Sequence, residues 1–127
     1  MTAGKIPPEL RYSKTHEWVR VEGNRATVGI TDHAQSELTD IVFVDLPPVG
    51  KAVEPGKPVL ALESVKTVAD VYAPGPGKVL EVNAELKAHP ELVNQEPYGR
   101  GWIYRLELSG PVDPALLDAE GYRKIVG

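Results

Sequence analysis

The side chains able to do covalent chemistry in this chain reduce almost to one. It has no cysteine, which excludes thiol nucleophiles, disulfides, thiolate metal sites and CxxC redox pairs. His16, His33 and His89 lie far apart, and none belongs to a ligand-spaced pair. His16-Glu17 runs on into Trp18-Val19-Arg20, without the second histidine one helical turn later that a zinc motif requires. No GxSxG elbow or GxxxxGK[ST] loop is present, and Pro76 within Gly75-Pro-Gly77 removes an N–H that a phosphate loop would use. The carboxylate pairs Glu81/Glu85 and Asp118/Glu120 fall on surface-like segments, where water solvates them. Lys66 remains, in the stretch Leu60-Ala-Leu-Glu-Ser-Val-Lys-Thr-Val-Ala-Asp-Val-Tyr-Ala-Pro74. A primary amine held out from the surface is either a solvated charge, the ordinary state of lysine, or a point for attaching a prosthetic group.

The elements that must position it are short. Val19–Val21, Arg25–Ile30, Ile41–Leu46, Pro58–Glu63, Val68–Ala73, Lys78–Val82 and Trp102–Leu108 read as strands, rich in β-branched residues and bounded by Gly, Pro, Asn or Asp. Glu63-Ser-Val-Lys-Thr67 must then turn, with Lys66 at the tip of a hairpin. Glu22-Gly-Asn-Arg25 reads as the turn of the first hairpin. Asp32, with Gln35 three residues on, predicts a capping box opening a helix through Leu38. Asp113-Pro114 predicts an N-cap and first position for a helix over Ala115–Ala119, broken by Gly121, with a further turn over Tyr122–Val126. So many closely spaced strands predict a small barrel or sandwich. Pro55-Gly-Lys-Pro-Val-Leu-Ala-Leu-Glu63 echoes Pro76-Gly-Lys-Val-Leu-Glu-Val82. The echo is either a pair of related strand units flanking Lys66 or two turns using the same favoured residues.

Composition bounds the partners. A chain of 127 residues fits one domain, and 25% charged against 42% hydrophobic residues is a globular balance. No apolar run approaches the roughly 18 residues that span a bilayer. The N-terminus has neither the apolar core of a secretory signal nor the Arg-rich character of a transit peptide, so a cytoplasmic location is the expectation. Eighteen acidic residues outnumber fourteen basic ones, and the basic residues are scattered apart from Arg123-Lys124. Nucleic acid is an unsuitable partner for such a surface, while basic proteins are suitable ones.

Glu63-Ser-Val-Lys66, followed by Asp70, Val71 and the Ala73-Pro74 turn, resembles the lipoyl-lysine segment of the glycine cleavage system H protein family. The resemblance continues in order through His16-Glu-Trp-Val19, Val28-Gly-Ile-Thr-Asp-His-Ala-Gln35, Val42-Phe-Val44 with Leu46-Pro47, Gly77 to Asn83, Leu92-Val-Asn94, Pro97-Tyr98 and Gly101-Trp102. It covers roughly Leu10 to Val126. After the lysine the family commonly has Ala-Ala-Ser or Ala-Thr-Ser, whereas this chain has Thr67-Val68-Ala69. A serine hydroxyl beside the aspartate is therefore absent. Biotin carriers place Met on both sides of their lysine and lipoyl domains of 2-oxoacid dehydrogenases read Asp-Lys-Ala; Val65 and Thr67 match neither.

The resemblance implies a mainly β barrel-sandwich hybrid of the lipoyl/biotinyl-carrier kind, built from two small antiparallel sheets with a few short helices, one near the C-terminus. It implies a single domain over residues 1–127, with 1–9 and 113–127 as peripheral extensions. It also implies a carrier without catalytic residues of its own, and a monomer is the simplest architecture for a shuttle. Lys66 would bear lipoic acid as an amide, attached by a lipoate ligase or lipoyl transferase. A P protein (glycine decarboxylase) would load an aminomethyl group, a T protein (aminomethyltransferase) would unload it, and an L protein (dihydrolipoyl dehydrogenase) would reoxidise the arm. Neither a metal nor a membrane enters this scheme. The loaded group hydrolyses in water, so a cleft must protect it and its ammonium needs an acceptor, best a carboxylate. Glu17 is the first candidate, assisted by Thr15, and Asp70 the second. Glu63, three residues before the lysine, is a candidate for recognition by the lipoylating enzyme. Trp18 and Trp102 are expected in the core or a cleft wall. The alternatives are a lipoyl or biotin carrier serving another complex, a relay of lipoate to other carriers, and a small β binding module with nothing attached.

Overall fold

The computed structural model of the protein describes residues 5–126; residues 1–4 of the expected N-terminal extension, and Gly127, lie outside them. Among the described residues, apolar-rich segments form nine strands: β1 (Arg11–Tyr12), β2 (Glu17–Glu22), β3 (Arg25–Ile30), β4 (Ile41–Val44), β5 (Ala52–Val53), β6 (Pro58–Ser64), β7 (Val68–Tyr72), β8 (Gly77–Val82) and β9 (Tyr104–Leu108). Four short helices accompany them: α1 (Asp32–Leu38), α2 (Glu85–Ala88), α3 (Leu92–Gln95) and α4 (Ala119–Val126). The strands make two antiparallel sheets, one in the order β1-β2-β3-β9-β8-β5 and one in the order β4-β6-β7.

Both sheets contribute to one core. Val28, Val79 and Leu106 of the larger sheet and Val44, Leu62 and Val71 of the smaller belong to the same buried cluster, and burial of such side chains is the main favourable term in folding. A second cluster joins Leu10, Tyr12, Trp18, Ala119 and Tyr122, placing α4 over the start of the large sheet. Trp18 is fully buried opposite Gly29 on β3, and a Cβ at Gly29 would come within 2.6 Å of the indole Nε1. The indole N–H donates to the Pro97 carbonyl at 2.8 Å. Trp18 therefore pins β2, and with it the neighbouring Glu17.

The expected two-sheet β architecture is present, with differences at the helices. The N-cap of α1 is Thr31, one residue earlier than expected: its hydroxyl accepts the Ala34 N–H at 3.1 Å, while Asp32 is the first helical residue and receives the Gln35 side-chain N–H at 2.8 Å. The polar run Thr31-Asp32 offers two good caps, and the fully buried Thr31 is the one used. No helix forms over Ala115–Ala119. Asp113 accepts the Ala115 N–H at 2.9 Å in a local turn, and Leu117 instead pairs with Tyr12. The helix begins at Ala119 and passes through Gly121, whose N–H donates to the Asp118 carboxylate at 2.8 Å. Burial of Tyr122 outweighs the weak helical preference of glycine. The two echoed segments end in different sheets, β6 in the smaller and β8 in the larger.

Candidate functional site

The turn between β6 and β7 is held by one hydroxyl. Ser64 Oγ accepts the N–H groups of Lys66 at 3.3 Å and Thr67 at 3.1 Å, and the Ser64 N–H donates to the Thr67 carbonyl at 2.8 Å. The Val65 N–H donates to the Asp40 carbonyl at 3.0 Å, tying the tip to the residue before β4. Lys66 is exposed, and its amine has neither a hydrogen bond nor an ion pair among the described residues. The backbone at the tip is fixed while the side chain is free.

Glu17 opens β2 and is 4% exposed. Its Oε1 accepts hydrogen bonds from the hydroxyls of Ser13 and of Thr15, the latter at 2.5 Å, and its Oε2 accepts the Tyr72 N–H at 3.2 Å. Burial raises its pKa above the ordinary carboxylate value, and these hydrogen bonds partly offset that rise. No Lys, Arg or His forms an ion pair with it among the described residues.

Glu17 and Thr15 line two cavities. One, of about 240 Å³, is also walled by His16 and His33, by Ile30, Leu38 and Leu62, and by Ala69, Asp70 and Val71 of β7. The other, of about 390 Å³, lies between the Ser13–Thr15 turn, Tyr72–Pro74 and the 113–116 segment. Of the expected cleft residues, Glu17, Thr15 and Asp70 thus border the same smaller cavity. Glu63 is exposed on the same hairpin and borders neither cavity. Trp18 is in the core and Trp102 is half-buried, with Arg105 4.1 Å above its ring. Glu81 and Glu85 pair with Arg105 and Arg100 on the surface.

Several site residues are not legible in the linear pattern. His16 and His33 have ring centroids 4.9 Å apart although they are distant in the chain. His16 has φ 73°, a backbone state uncommon outside glycine, and its pKa is lowered by burial and by His33. No group of three metal-ligating side chains occurs among the described residues. Ser13 and Thr15 reach Glu17 through a turn, closed by the His16 N–H donating to the Ser13 carbonyl at 3.1 Å, and no strand or helix period in the chain signals Ser13. Tyr122 carries no such signal either.

The glycine cleavage H-protein family model matches residues 10–127. The glycine cleavage system H protein of Rubrobacter xylanophilus is 54% identical over 120 residues, covering 94% of each chain. That of a Thermus thermophilus strain is 54% identical over 123 residues, covering 95% of each. The crystal structure of a glycine cleavage system H protein from Mycobacterium marinum matches with a TM-score of 0.88 at 37% identity, over 94% of this chain and 98% of that one.

Proposed function

This chain belongs to the glycine cleavage H-protein family, and from that premise we propose that Lys66 bears a lipoyl group as an amide and carries an aminomethyl group from a glycine decarboxylase to an aminomethyltransferase. A dihydrolipoyl dehydrogenase is the proposed third partner, and a lipoate ligase or lipoyl transferase the enzyme that loads the lysine. The family supplies carrier subunits, and no catalytic role is given to any residue of this chain. No helix among the described residues is long and apolar enough to cross a membrane, and cytoplasmic location remains part of the proposal.

The residues present fit the lipoyl group. The Lys66 amine is unpaired among the described residues and sits on a fixed turn, and the same hairpin supplies Ala69, Asp70 and Val71 to the smaller cavity. When bound, lipoate would supply a disulfide, the electron-pair acceptor and cargo-bearing sulfur that this cysteine-free chain lacks.

Glu17 supplies the electrostatics. A buried carboxylate without a cation is costly unless hydrogen-bonded or paired. Ser13, Thr15 and the Tyr72 N–H satisfy its oxygens, but no positive charge among the described residues balances it. The ammonium of an aminomethyl cargo is such a charge, and a charge-assisted hydrogen bond to Glu17 would hold it. Asp70 at the rim adds negative charge, and Ile30, Leu38 and Leu62 give the cavity an apolar wall.

The unpaired amine of Lys66 on the hairpin that walls this cavity carries the proposal. Intact-mass measurement after expression with lipoate and its ligase tests it. A lipoyl increment that disappears in Lys66→Arg, together with glycine decarboxylation when purified decarboxylase is added, is the expected result. A biotin increment, or none, overturns it. A lipoyl increment without glycine-dependent carbon dioxide release assigns the carrier to another complex.

A further inference from the structure

We infer that His16 and His33 form half of a site for a divalent cation of the Zn²⁺ class, completed by the two sulfurs of the reduced lipoyl arm. The inference rests on Lys66 bearing that arm. What carries it is a pair of imidazoles in the wall of the same cavity that the Lys66 hairpin lines.

The two rings come from separate segments. His16 sits in the turn before β2 and His33 in the first turn of α1, yet their ring centroids are 4.9 Å apart with planes tilted by 45°. Two nitrogens each about 2.0–2.1 Å from one zinc ion lie within about 4 Å of each other, a spacing that rings this close can meet. His16 Nδ1 lies 2.8 Å from the Tyr122 hydroxyl, which lies 2.7 Å from Thr31 Oγ1. That relay holds the ring and leaves Nε2 uncommitted among the described residues, the outer support that metal-bound histidines have. His33 Nε2 is 3.9 Å from Glu37 Oε1, too far for a hydrogen bond.

Charge and ligand count select the occupant. Glu17, Glu37 and Asp70 line the cavity, and no lysine or arginine does, so its field attracts a cation. No third imidazole or carboxylate completes a ligand set among the described residues. The chain itself therefore offers two of the four tetrahedral positions that zinc takes. The arm offers the other two. Ala69 of the cavity wall is three residues past Lys66, at most about 11 Å along the chain, within the span of a lysine side chain extended by a lipoyl amide. Only the reduced arm qualifies. Its two thiols each give a proton to solvent and become thiolates, which with two imidazoles make a two-sulfur, two-nitrogen set suited to zinc. No electron moves in this step. Sulfurs held in this way neither close to a disulfide nor take up cargo, so the cation arrests the carrier in its reduced state.

The test titrates Co²⁺, a coloured probe for zinc sites, into the lipoylated full chain, reduced and oxidised, and into reduced His16→Asn and His33→Asn. Asparagine tolerates the positive φ at position 16, and the His33 side chain is partly exposed on α1. Reduced wild type is expected to bind one Co²⁺ per chain, with a tetrahedral spectrum and a sulfur-to-cobalt charge-transfer band that Zn²⁺ displaces. Each variant, and oxidised wild type, is expected to bind about tenfold more weakly or worse. Zn²⁺ should also shift the imidazole C–H resonances of both histidines in the reduced chain. Equal affinity in wild type and both variants leaves the metal on sulfur alone and overturns the site. Equal affinity of the reduced and oxidised chains overturns it too, as does one metal bridging two chains. Should one variant unfold, the other decides together with the resonance shifts. Intact mass of the same samples separates the two levels: a lipoylated chain that fails these tests overturns this inference alone, and a chain without lipoate at Lys66 overturns the carrier reading beneath it.

Discussion

The Tyr122 hydroxyl lies 2.8 Å from His16 Nδ1, joining the C-terminal helix to a turn 106 residues earlier. The same oxygen lies 2.7 Å from Thr31 Oγ1, the hydroxyl that caps α1. Because His16 and α1 residues His33, Ala34 and Leu38 line the smaller cavity, one hydroxyl braces two of its walls. The Tyr122 ring is itself fixed by stacking on Tyr12, with centroids 4.8 Å apart.

Tyr122→Phe keeps that stacked ring and removes the brace. It leaves the buried Thr31 hydroxyl and the half-buried His16 Nδ1 each short of a hydrogen bond, so a loss of about 1–3 kcal/mol is expected in urea unfolding. Aminomethyl cargo on the loaded variant should also hydrolyse faster than on wild type. Equal cargo lifetimes would confine Tyr122 to a structural role.

Glu17→Gln removes the buried negative charge at nearly constant shape. The wild-type carboxyl has a folded pKa raised above 4.5, chiefly by burial, so it favours the folded state below its unfolded pKa and loses this contribution as pH rises through the folded pKa. Wild type should therefore lose stability relative to the variant as pH rises from the ordinary carboxylate value of 4.5 through the raised folded pKa, as measured by urea midpoints over a pH series. The loaded variant should release its cargo faster, and an unchanged hydrolysis rate would remove Glu17 from the ammonium site.

His16 should titrate below the usual 6.5, because burial and the facing His33 both disfavour its cation, while Glu37 opposes them. Its contribution to stability is present above the unfolded pKa and is lost as pH falls through the folded one. Proton NMR of the imidazole C–H resonances reads the value. His33→Asn should move it upward without restoring it fully, since burial remains the larger cause.

Gly29→Ala places a Cβ within 2.6 Å of the Trp18 indole. Either the indole shifts and strains its hydrogen bond to Pro97, or β2 moves. Such overpacking should cost about 1–3 kcal/mol, visible in thermal unfolding with a changed Trp fluorescence spectrum.

Ser64→Ala removes the acceptor that orders the Lys66 turn. Its exposed N–H groups can turn to water, so stability should change by less than about 1 kcal/mol. Lipoylation of purified chain should nevertheless slow, as followed by intact mass against time.

Local features of this protein are written in its chain. Alternating β-branched residues and Gly or Pro boundaries mark the main strands, and the Glu63–Thr67 turn puts Lys66 at a tip, because strand period and turn chemistry reside in adjacent residues. The short β1 and β5 are not legible there, since two-residue strands exist only through their partners. The start of α4 escapes the linear pattern for a related reason: burial of Tyr122 against Tyr12 fixes where the chain coils, overriding Gly121. The neighbourhood of Glu17 suggests a site, but nothing along the chain reveals its isolation from every cation among the described residues. Packing alone brings a carboxylate from β2, a backbone N–H from β7 and a hydroxyl from α4 to the same walls. The reason is physical: burial and pairing across distant segments depend on how the two sheets pack, and no spacing along the chain encodes those distances.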